Sequence, residues 1–572
     1  PVSVAADNGA SIDAGTTASA APVSVAADNG ASIDAGTTAR AGVTTGACSA
    51  PGSVPTIQLW IQHAWRHPTW LRVIMELRQL LDTHDLFHHC GSLTHLPSDA
   101  PPVALATLSP YVNGNIVEFS PPQRLPRLLR QRLQFARLAH DISLPLGTPD
   151  DVHGKSSWEV PVPGTYRQAL NGPHAQAWQA SMRRELDSLQ TRGTWREGYV
   201  PRGVRAIATR WIYNVKSSLL FKSRLVARGD QRPNSIFEPA SDSPTVARSS
   251  LNVLLAVAHA LGWVTRALDV DCAYLYGDIP DQVQGQVWIK PPLGMHVSLP
   301  SVPGKEVGLD LCKTLYGLRF SGRQWFLKLH TFLLNIGFRP STADPCIYIR
   351  NTHGKLIILS VYVDDLALFS PHPETISEVQ DLLMARFSMK DLGELRTYLG
   401  LQMVSDSDSF TVHVAPYIDQ LVAQYIPEPS PPVLTPADPT IRLSVLMGPE
   451  STSDEFRFMQ TVPYGSLVGS LSYIAVVARP DIARAVHALQ RAQNNPSRAH
   501  WQAALHVLHY LRSTSTLGPR YRRVADINDL QLSAYIDASF APDWKDADGI
   551  SVTGYIIFLA GGPVAWTSHR QK

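Results

Sequence analysis

The sequence predicts an α+β fold, and three observations lead to this class. Apolar side chains recur at helical spacing over two segments, 178–189 and 247–261. An apolar stretch at 264–270 predicts a strand that ends next to acidic residues. A second apolar stretch at 356–369 is interrupted by Asp364-Asp365, which predicts a hairpin of an antiparallel sheet.

The composition excludes several classes of protein. With 44% hydrophobic residues among 572, the chain can bury a sizeable core and is not disordered throughout. Lys and Arg number 50 and Asp and Glu 48, and this net charge of +2 excludes a uniformly basic nucleic-acid coat but permits a local basic groove. No apolar run reaches the roughly 18 residues of a membrane span, so no membrane association is predicted. The 5 widely spaced cysteines form no disulfide framework and predict a reducing, intracellular and cytoplasmic setting.

The first 164 residues are predicted to hold little packed structure. The segment PVSVAADNGASIDAGTTA occurs at 1–18 and again at 22–39, and its small polar residues predict disorder over 1–50. Residues 51–164 predict a variable, partly helical connector, with one helix beginning at Thr69. A histidine-rich group follows without a second ligand pair at zinc-finger spacing, so a loop is favoured over a zinc site. Its members are His84, His88, His89 and Cys90.

A basic stretch with strand character covers residues 202–232. Aromatic residues are interleaved with its basic ones, and its only acid is Asp230. The stretch predicts a local surface suited to phosphate groups. Its basic residues are Arg202, Arg205, Arg210, Lys216, Lys222, Arg224, Arg228 and Arg232.

The last third of the chain returns to helices and then to strands. Residues 429–455 are rich in Pro, Ser and Thr and predict a linker. A helix with Pro480 in its first turn is predicted next. Alternating residues over 532–536 lead to Asp537, and 555–559 predicts a buried strand. A further helix between these is predicted by apolar residues at Trp501, Leu505, Leu508 and Leu511.

Asp269, Asp364 and Asp365 form the candidate chemical centre. Each stands at the end of an apolar strand, where a carboxylate is unfavourable unless it binds something positive. Three carboxylates meeting at one sheet edge repel one another without a cation. Mg²⁺ prefers such oxygen ligands together with substrate phosphates, and two ions about 4 Å apart can clamp a phosphoryl transfer. The pattern therefore indicates nucleotidyl transfer, although Asp364-Asp365 on its own favours a plain surface turn.

Ten sequence blocks, in order along the chain, resemble the reverse transcriptase of copia-type (Pseudoviridae-like) retrotransposons. They cover about residues 165–572, and their order is more specific than any single block. The blocks are WQASMRRELDSLQTRGTW (178–195), KSRLVARG (222–229), DSPTVARSS (242–250), ALDVDCAYLYGDIP (267–280), LYGLRFSGRQW (315–325), GFRPSTADPCIYI (337–349), YVDD (362–365), FSMKDLGELRTYLG (387–400), GSLSYIAVVARPDI (469–482), and SAYIDASFA with SVTGYIIFLAGGPVAWTS (533–568).

The resemblance implies a right-hand polymerase fold followed by a partial ribonuclease H-like α/β domain. It assigns fingers and palm to 165–428, a helical thumb or connection to 456–515 and the truncated ribonuclease H-like part to 516–572. Asp537 matches the first metal-binding aspartate of ribonuclease H. The segments that carry the later acids of that enzyme lie beyond Lys572, so ribonuclease H activity is expected to be absent. The terminal strands are expected to leave a sheet face uncovered and to be the least stable ordered part.

The resemblance also implies roles for individual residues. Asp269 would be the first metal-binding aspartate, and Asp364 and Asp365 the catalytic pair. The backbone carbonyl of Val270 would also face a metal, and two Mg²⁺ ions are implied, with Mn²⁺ as an alternative. The residues that match the nucleotide pocket are Lys222 and Arg224 for the triphosphate, Tyr274 as the gate that excludes a 2′-hydroxyl, and Tyr316 and Gly317 near the template base and nucleotide.

Two departures from the family pattern fall near that pocket. The family reads KQSPR or KQAPR after LYGL, where this chain has RFSGR with Phe320 and Gly322. The loop between Lys216 and Lys222 is also short. From the residues alone, Tyr274 could be a core tyrosine, and the basic pair at 222 and 224 could be a solvated strand.

The predicted function is RNA-directed DNA polymerisation. The implied partners are an RNA template, a DNA primer, the resulting RNA–DNA hybrid and deoxynucleoside triphosphates, while the oligomeric state is left open. A decayed or host-retained fragment that binds nucleic acid without polymerising is the first alternative, favoured by the duplicated segment, the absent initiator Met and the two departures. An unrelated metal-dependent nuclease is the second, and the ordered blocks disfavour it.

Overall fold

The computed structural model describes residues 69–82, 159–216, 218–231, 240–441, 443–525, 527–539 and 550–571, and the statements below concern these residues. The segment 1–50, most of the connector and the group His84, His88, His89 and Cys90 lie outside them. No helix among the described residues combines the length and the apolar character that crossing a membrane requires.

The helices match the segments whose spacing predicted them, including the one that begins at Thr69. The described α-helices are α1 (Thr69–Asp82), α2 (Tyr166–Asn171), α3 (Ala175–Thr191), α4 (Arg248–Ala260), α5 (Ser321–Asn335), α6 (Pro373–Arg386), α7 (Ala415–Tyr425), α8 (Asp454–Thr461), α9 (Tyr464–Val477), α10 (Ala483–Arg491) and α11 (Arg498–Ser513).

The described strands form five sheets in which every strand pair is antiparallel. They are β1 (Trp195–Tyr199), β2 (Thr209–Val215), β3 (Phe221–Ala227), β4 (Val264–Val270), β5 (Trp288–Ile289), β6 (Val307–Leu311), β7 (Arg339–Pro340), β8 (Ile347–Thr352), β9 (Lys355–Tyr362), β10 (Asp365–Ser370), β11 (Met389–Gly393), β12 (Thr397–Tyr398), β13 (Leu401–Ser405), β14 (Ser409–His413), β15 (Arg520–Arg522), β16 (Leu532–Ser539), β17 (Val552–Leu559) and β18 (Gly562–Arg570).

The central sheet carries the candidate acids. It has six strands in the order β11-β4-β10-β9-β8-β7. Strand β10 is buried from Leu366 to Ser370, which explains its unbroken apolar pattern. Helix α5 contributes Trp325, Leu329 and Leu333 to the same core, and α6 packs beside β10. The sheet therefore forms a well-packed base at the edge where the acids emerge.

Helix α4 is buried on nearly all sides, which explains why its sequence is apolar without a polar face. Helix α1 packs against it, as do β15 and β18 from the end of the chain. Asn252 on α4 donates a hydrogen bond to the carbonyl of Val564 at 3.1 Å. The helix thus joins a segment from the predicted connector, the central sheet and the terminal strands in one core.

A second core lies under the basic hairpin, which consists of β2 and β3. Trp178 and Met182 of α3 pack on the inward residues of the hairpin, with the Trp178 ring 4.7 Å from that of Phe221. The sheet β1-β6-β5 completes this core. Strand β3 alternates between buried and half-buried residues, so its basic side chains share one face.

A buried ion pair that the sequence did not reveal joins helices α10 and α11. Arg479 is fully buried and donates to the carboxylate of Asp481 at 2.7 Å and to the carbonyl of Thr514 at 2.8 Å. Tyr510 donates to the same carboxylate at 2.8 Å. These bonds fix the start of α10 to the end of α11. Because a buried charge is tolerated only when paired, breaking this pair would destabilise the helices.

The terminal sheet of β16, β17 and β18 corrects the expectation of an uncovered face. Strands β17 and β18 contribute Ile557, Leu559 and Val564 to the main core, where α4 and α10 cover them. The indole N–H of Trp566 also bonds the carbonyl of Ala475 at 2.7 Å. The expectation failed because it assumed that only helices of the same domain could cover the strands. Strand β16 does remain open, with Ile536 58% exposed.

Candidate active site

The hairpin of β9 and β10 brings the acids of the two predicted strands together. Asp365 is paired directly with Asp269 across β10 and β4. The N–H of Val270 donates to the carbonyl of Asp364 at 2.9 Å, so the turn is tied to the end of β4. Paired residues of an antiparallel sheet have Cα atoms about 4.5–5.5 Å apart. The two acidic segments, far apart in sequence, therefore share one edge.

The turn that carries Asp364 has a strained backbone, which a hydrogen bond from a tryptophan side chain stabilises. Tyr362 pairs with Asp365, which leaves Val363 and Asp364 as a two-residue loop. Val363 has φ of 56°, a left-handed conformation that a β-branched residue rarely adopts. Its carbonyl accepts a 2.6 Å hydrogen bond from the indole of Trp325. This bond helps to stabilise a conformation of the kind that concentrates at active sites.

The carboxylates in the turn are held in a partly buried, mutually repulsive arrangement. Burial raises the pKa of Asp365 to about 6, and the charges of Asp364 and Asp269 add to the effect. The pKa of Asp364 is also raised, first by burial and then by Asp269. Two of the neighbouring cations, Arg224 and Lys222, oppose the shift at Asp364 without abolishing it. The edge thus favours binding of positive charge.

The donor set fits a hard divalent cation that arrives with phosphate ligands. Within the described ranges, no group of three or more His, Cys, Asp or Glu side chains is positioned to hold a metal ion. Mg²⁺ commonly takes one or two carboxylates from a protein and completes its shell with water and substrate phosphates. Asp269, Asp364 and Asp365 supply oxygen donors of this type. The residues therefore fit an ion shared between the protein and a triphosphate.

We expect Asp365→Asn to raise the thermal stability of the metal-free chain at pH 7.5. The raised pKa means that the folded state binds more protons than the unfolded state between about pH 4 and 6, so stability falls as pH rises through that window. Asparagine does not titrate and removes this loss. Thermal unfolding in EDTA should show a higher melting temperature for the variant at pH 7.5 and a smaller difference near pH 4. An equal or lower melting temperature at pH 7.5, with the exposed-site control Asp381→Asn unchanged, would contradict the expectation.

Tyr274 and Tyr316 lie together beside the acidic edge. Tyr274 is in the 3₁₀ turn Ala273–Tyr276 that follows β4, and its ring centroid is 5.1 Å from that of Tyr316. The hydroxyl of Thr314 donates to the Tyr274 carbonyl and holds the turn. Burial raises the pKa of Tyr274, and the charge of Asp364 contributes. The structure thus places this half-buried ring next to the acids.

The two basic residues on β3 face the same region. The guanidinium carbon of Arg224 lies 5.3 Å from the Tyr316 ring centroid. Burial lowers the pKa of Lys222, and the nearby charge of Arg224 adds to this effect. The Nε of Arg224 is buried, and no described residue accepts a hydrogen bond from it. A buried donor without a partner is rare, so this Nε is open to an acceptor such as a phosphate oxygen.

Position 317 requires a glycine because the loop at 316–317 comes very close to the backbone at the end of β3. The φ of Gly317 is 88°, and an added Cβ would lie 2.1 Å from the carbonyl oxygen of Ala227. The N–H of Ala227 donates to the carbonyl of Tyr316 at 2.8 Å. The loop at 316–317 therefore extends the end of β3, and its glycine permits the contact.

The two departures at 320 and 322 occupy packed positions. Phe320 is 1% exposed and belongs to the core under the basic hairpin. Gly322 is in the first turn of α5, where an added Cβ would approach Ser243 at 3.0 Å. In the loop between Lys216 and Lys222, Leu219 is buried with φ of 59°. Phe320, Gly322 and the short loop are therefore accommodated in packed surroundings near the pocket.

Sequence reasoning missed a second charged pair beside Asp269. Lys390 of β11 is paired with Asp269 across the sheet, and its Nζ lies 2.7 Å from the carboxylate of Asp271. Burial acts to raise the pKa of Asp271, but the hydrogen bond and the charge of Lys390 help to lower it below its usual value. A fourth carboxylate is therefore neutralised next to the acidic edge. The alternation Asp269-Val270-Asp271 could have indicated it, because residues two apart on a strand share a face.

Asp537 lies apart from this site. It is exposed on β16, opposite Gly554 of β17. In the described strands of the terminal sheet it is the only acidic residue. The loop with Asp543, Asp546 and Asp548 lies outside the described residues.

Comparison with known proteins gives concordant matches. The family model described as reverse transcriptase (RNA-dependent DNA polymerase) matches residues 192–438. The retrovirus-related Pol polyprotein from transposon TNT 1-94 of Nicotiana tabacum is 31% identical over 418 residues, which are 72% of this chain and 30% of that protein. The putative transposon Ty5-1 protein of Saccharomyces cerevisiae is 30% identical over 308 residues, 53% of this chain and 93% of that protein.

Similar solved structures also exist. A foamy viral protease-reverse transcriptase in complex with double-stranded DNA aligns with a TM-score of 0.41 and 13% identity, over 69% of this chain and 56% of that one. The present chain spans less than a third of the tobacco polyprotein that it matches.

Proposed function

Because this chain belongs to the copia-type LTR retrotransposon polyproteins and carries their reverse transcriptase region, we propose that it polymerises DNA on an RNA template. The observation that carries the proposal is the pairing of Asp365 with Asp269 beside Asp364, at an edge that also receives the basic side chains of β3. The reaction joins a primer 3′-hydroxyl to the α-phosphate of a deoxynucleoside triphosphate, and pyrophosphate leaves.

Each residue of the site has a role in this reaction. Asp269, Asp364 and Asp365, with the Val270 carbonyl, would hold two Mg²⁺ or Mn²⁺ ions. When bound, these ions activate the 3′-hydroxyl and neutralise the charge on the phosphates. Lys222 and Arg224 bind the triphosphate, and the unpartnered Nε of Arg224 supplies one donor. Tyr274 lies under the sugar, and Tyr316 with Gly317 borders the nucleotide. The protein thus contributes position and charge rather than a covalent intermediate.

The exposed face of α9 is a candidate binding surface for the RNA–DNA hybrid. Tyr473 and Val476 are 41% and 61% exposed, and Gly469 has no atom within 4 Å of an added Cβ. A Cβ added at Gly400 would lie 3.3 Å from the Tyr473 hydroxyl, and nearby Tyr398 donates to the carbonyl of Asp365 at 3.2 Å, which supports a position of this face near the site. We propose that the primer–template duplex lies here. Helix α9 has no basic residue, so the phosphate contacts would come from other segments such as the basic hairpin, and they would make the affinity fall with salt and leave it indifferent to sequence.

Primer extension on poly(rA)/oligo(dT) with Mg²⁺ tests the proposed function. The expected result is incorporation of dTTP that EDTA abolishes. The alternative of a non-catalytic nucleic-acid-binding fragment is favoured by the departures from the family pattern beside the pocket, Phe320 and Gly322 among them. It predicts a gel shift of the hybrid without extension. That outcome from a folded chain would overturn the polymerase proposal.

We expect the chain to leave the RNA strand of an RNA–DNA hybrid intact. Two-metal hydrolysis needs several carboxylates, and Asp537 is the only acid on the described strands of its sheet. The measurement uses a hybrid labelled on the RNA strand and incubated with Mg²⁺. Cleavage by the wild-type chain that Asp537→Asn abolishes would refute the expectation.

A further inference from the structure

The outer edge of β3 is covered by side chains of a helix. Among the described residues, β3 pairs with one strand only, β2. On its other edge, the Oγ of Ser181 accepts from the N–H of Ser223 at 2.7 Å, and the Oε1 of Glu185 accepts from the N–H of Leu225 at 3.3 Å. Arg184 donates to the carbonyl of Phe221 at 3.4 Å. Helix α3 thus makes the bonds that a neighbouring strand would make.

The match between helix and strand follows from their geometry. Residues 181 and 185 are four apart and rise about 6 Å along the helix. Alternate N–H groups on one edge of a strand are about 6.8 Å apart. One helical turn therefore spans the two donors, and shifting β3 by a residue would break both bonds. The contact fixes the register of β3 as well as its distance from α3.

Glu185 also carries charge next to the nucleotide-binding pair. Burial raises its pKa, while the N–H of Leu225 and the charges of Lys222 and Arg224 oppose that shift. Burial raises the pKa values of Cys272 and Tyr316, and the charge of Glu185 contributes to both shifts. The carboxylate thus lies behind the strand whose basic residues face the pocket. Its hydrogen bond to the backbone gives it a defined position between strand and helix.

We propose that Ser181 and Glu185 are positioning residues that hold Lys222 and Arg224 in register for the phosphates of an incoming nucleoside triphosphate. The inference rests on the proposed function and deepens it. Neither side chain contacts the reacting atoms. Both act through the backbone of β3, so their loss changes nucleotide binding more than the rate of the chemical step.

Steady-state primer extension with varied dTTP tests this assignment. Glu185→Ala is expected to raise KM for dTTP about five- to tenfold, the effect of one buried hydrogen bond lost at the pocket, with kcat changed less than about twofold. Ser181→Ala should also raise KM, because it removes the other anchor. Glu185→Gln keeps an acceptor for Leu225 and should restore KM to near or below the wild-type value. Thr191→Ala, an exposed change on the same helix, is the matched control.

A second measurement separates this proposal from the proposed function. Hydrogen exchange of the peptide over 221–227 should accelerate in Glu185→Ala and Ser181→Ala and stay slow in Glu185→Gln, whether or not the chain polymerises. A wild-type chain that shows protected exchange but no extension overturns the polymerase function alone. An active wild type whose KM and exchange are unchanged in Glu185→Ala overturns the positioning role, as does a Gln variant as impaired as the Ala variant.

Discussion

Replacing Asp364 with asparagine is expected to reduce primer extension by about 10³-fold, the upper range for removing one electrostatic stabiliser from an active site. The carboxylate stands on the strained turn opposite the end of β4, and burial together with Asp269 raises its pKa. Asparagine keeps the shape but loses the charge that holds a cation. Single-nucleotide incorporation with dTTP and Mg²⁺ measures the loss.

The control for this variant is Asp381→Asn, an exposed change on α6, which should extend primers at the wild-type rate. Affinity for the hybrid, measured by gel shift, should remain within about twofold, because duplex binding relies mainly on phosphate contacts elsewhere. Extension by Asp364→Asn at more than a tenth of the wild-type rate would remove Asp364 from the catalytic set.

Replacing Tyr274 with valine is expected to increase incorporation of ribonucleotides by about 100-fold, within the range that a single pocket contact provides. The Tyr274 ring is half-buried beside Tyr316, on a backbone fixed by Thr314. If it lies under the sugar, its loss removes a clash with the 2′-hydroxyl and leaves deoxynucleotide binding largely intact. The ratio of kcat/KM for UTP and dTTP on poly(rA)/oligo(dT) reports the change.

Tyr274→Phe is the matched control, since it keeps the ring and removes only the hydroxyl. It should discriminate against UTP as the wild type does. If valine and phenylalanine variants both discriminate normally, Tyr274 is a packing residue of the tyrosine pair, which was the alternative that the residues alone allowed.

The acidic edge was the part of the site that sequence could predict. An apolar run interrupted only by Asp364-Asp365 is typical of a buried hairpin with an acidic turn, and β9 and β10 form this hairpin. The position of Asp269 opposite Asp365 could not be predicted from the local sequence in the same way. Register between strands about a hundred residues apart depends on the whole sheet, and neither local pattern specifies it.

The residues that sequence reasoning missed act through tertiary contacts. Glu185 lies on a helix whose apolar spacing was recognised, yet its partner is a backbone N–H on a distant strand. The sequence predicts a helix start at Pro480 but gives no sign that the preceding Arg479 is fully buried in an ion pair. A polar residue with a backbone or buried partner looks the same in sequence as one in solvent. Periodicity identifies elements, whereas these contacts arise only when the elements meet.

The burial of α4 on all sides has a consequence for synthesis on the ribosome. Asn252 bonds to Val564, a partner 312 positions later in the chain. At about 5–20 residues per second, some 15–60 s separate the emergence of the helix from that of β18. Throughout this interval one apolar side of α4 lacks its cover. Such late closure gives the nascent chain a high contact order and an interval in which chaperones or aggregation can act. A polyprotein of this kind should therefore depend on holding factors during translation more than its central sheet alone suggests.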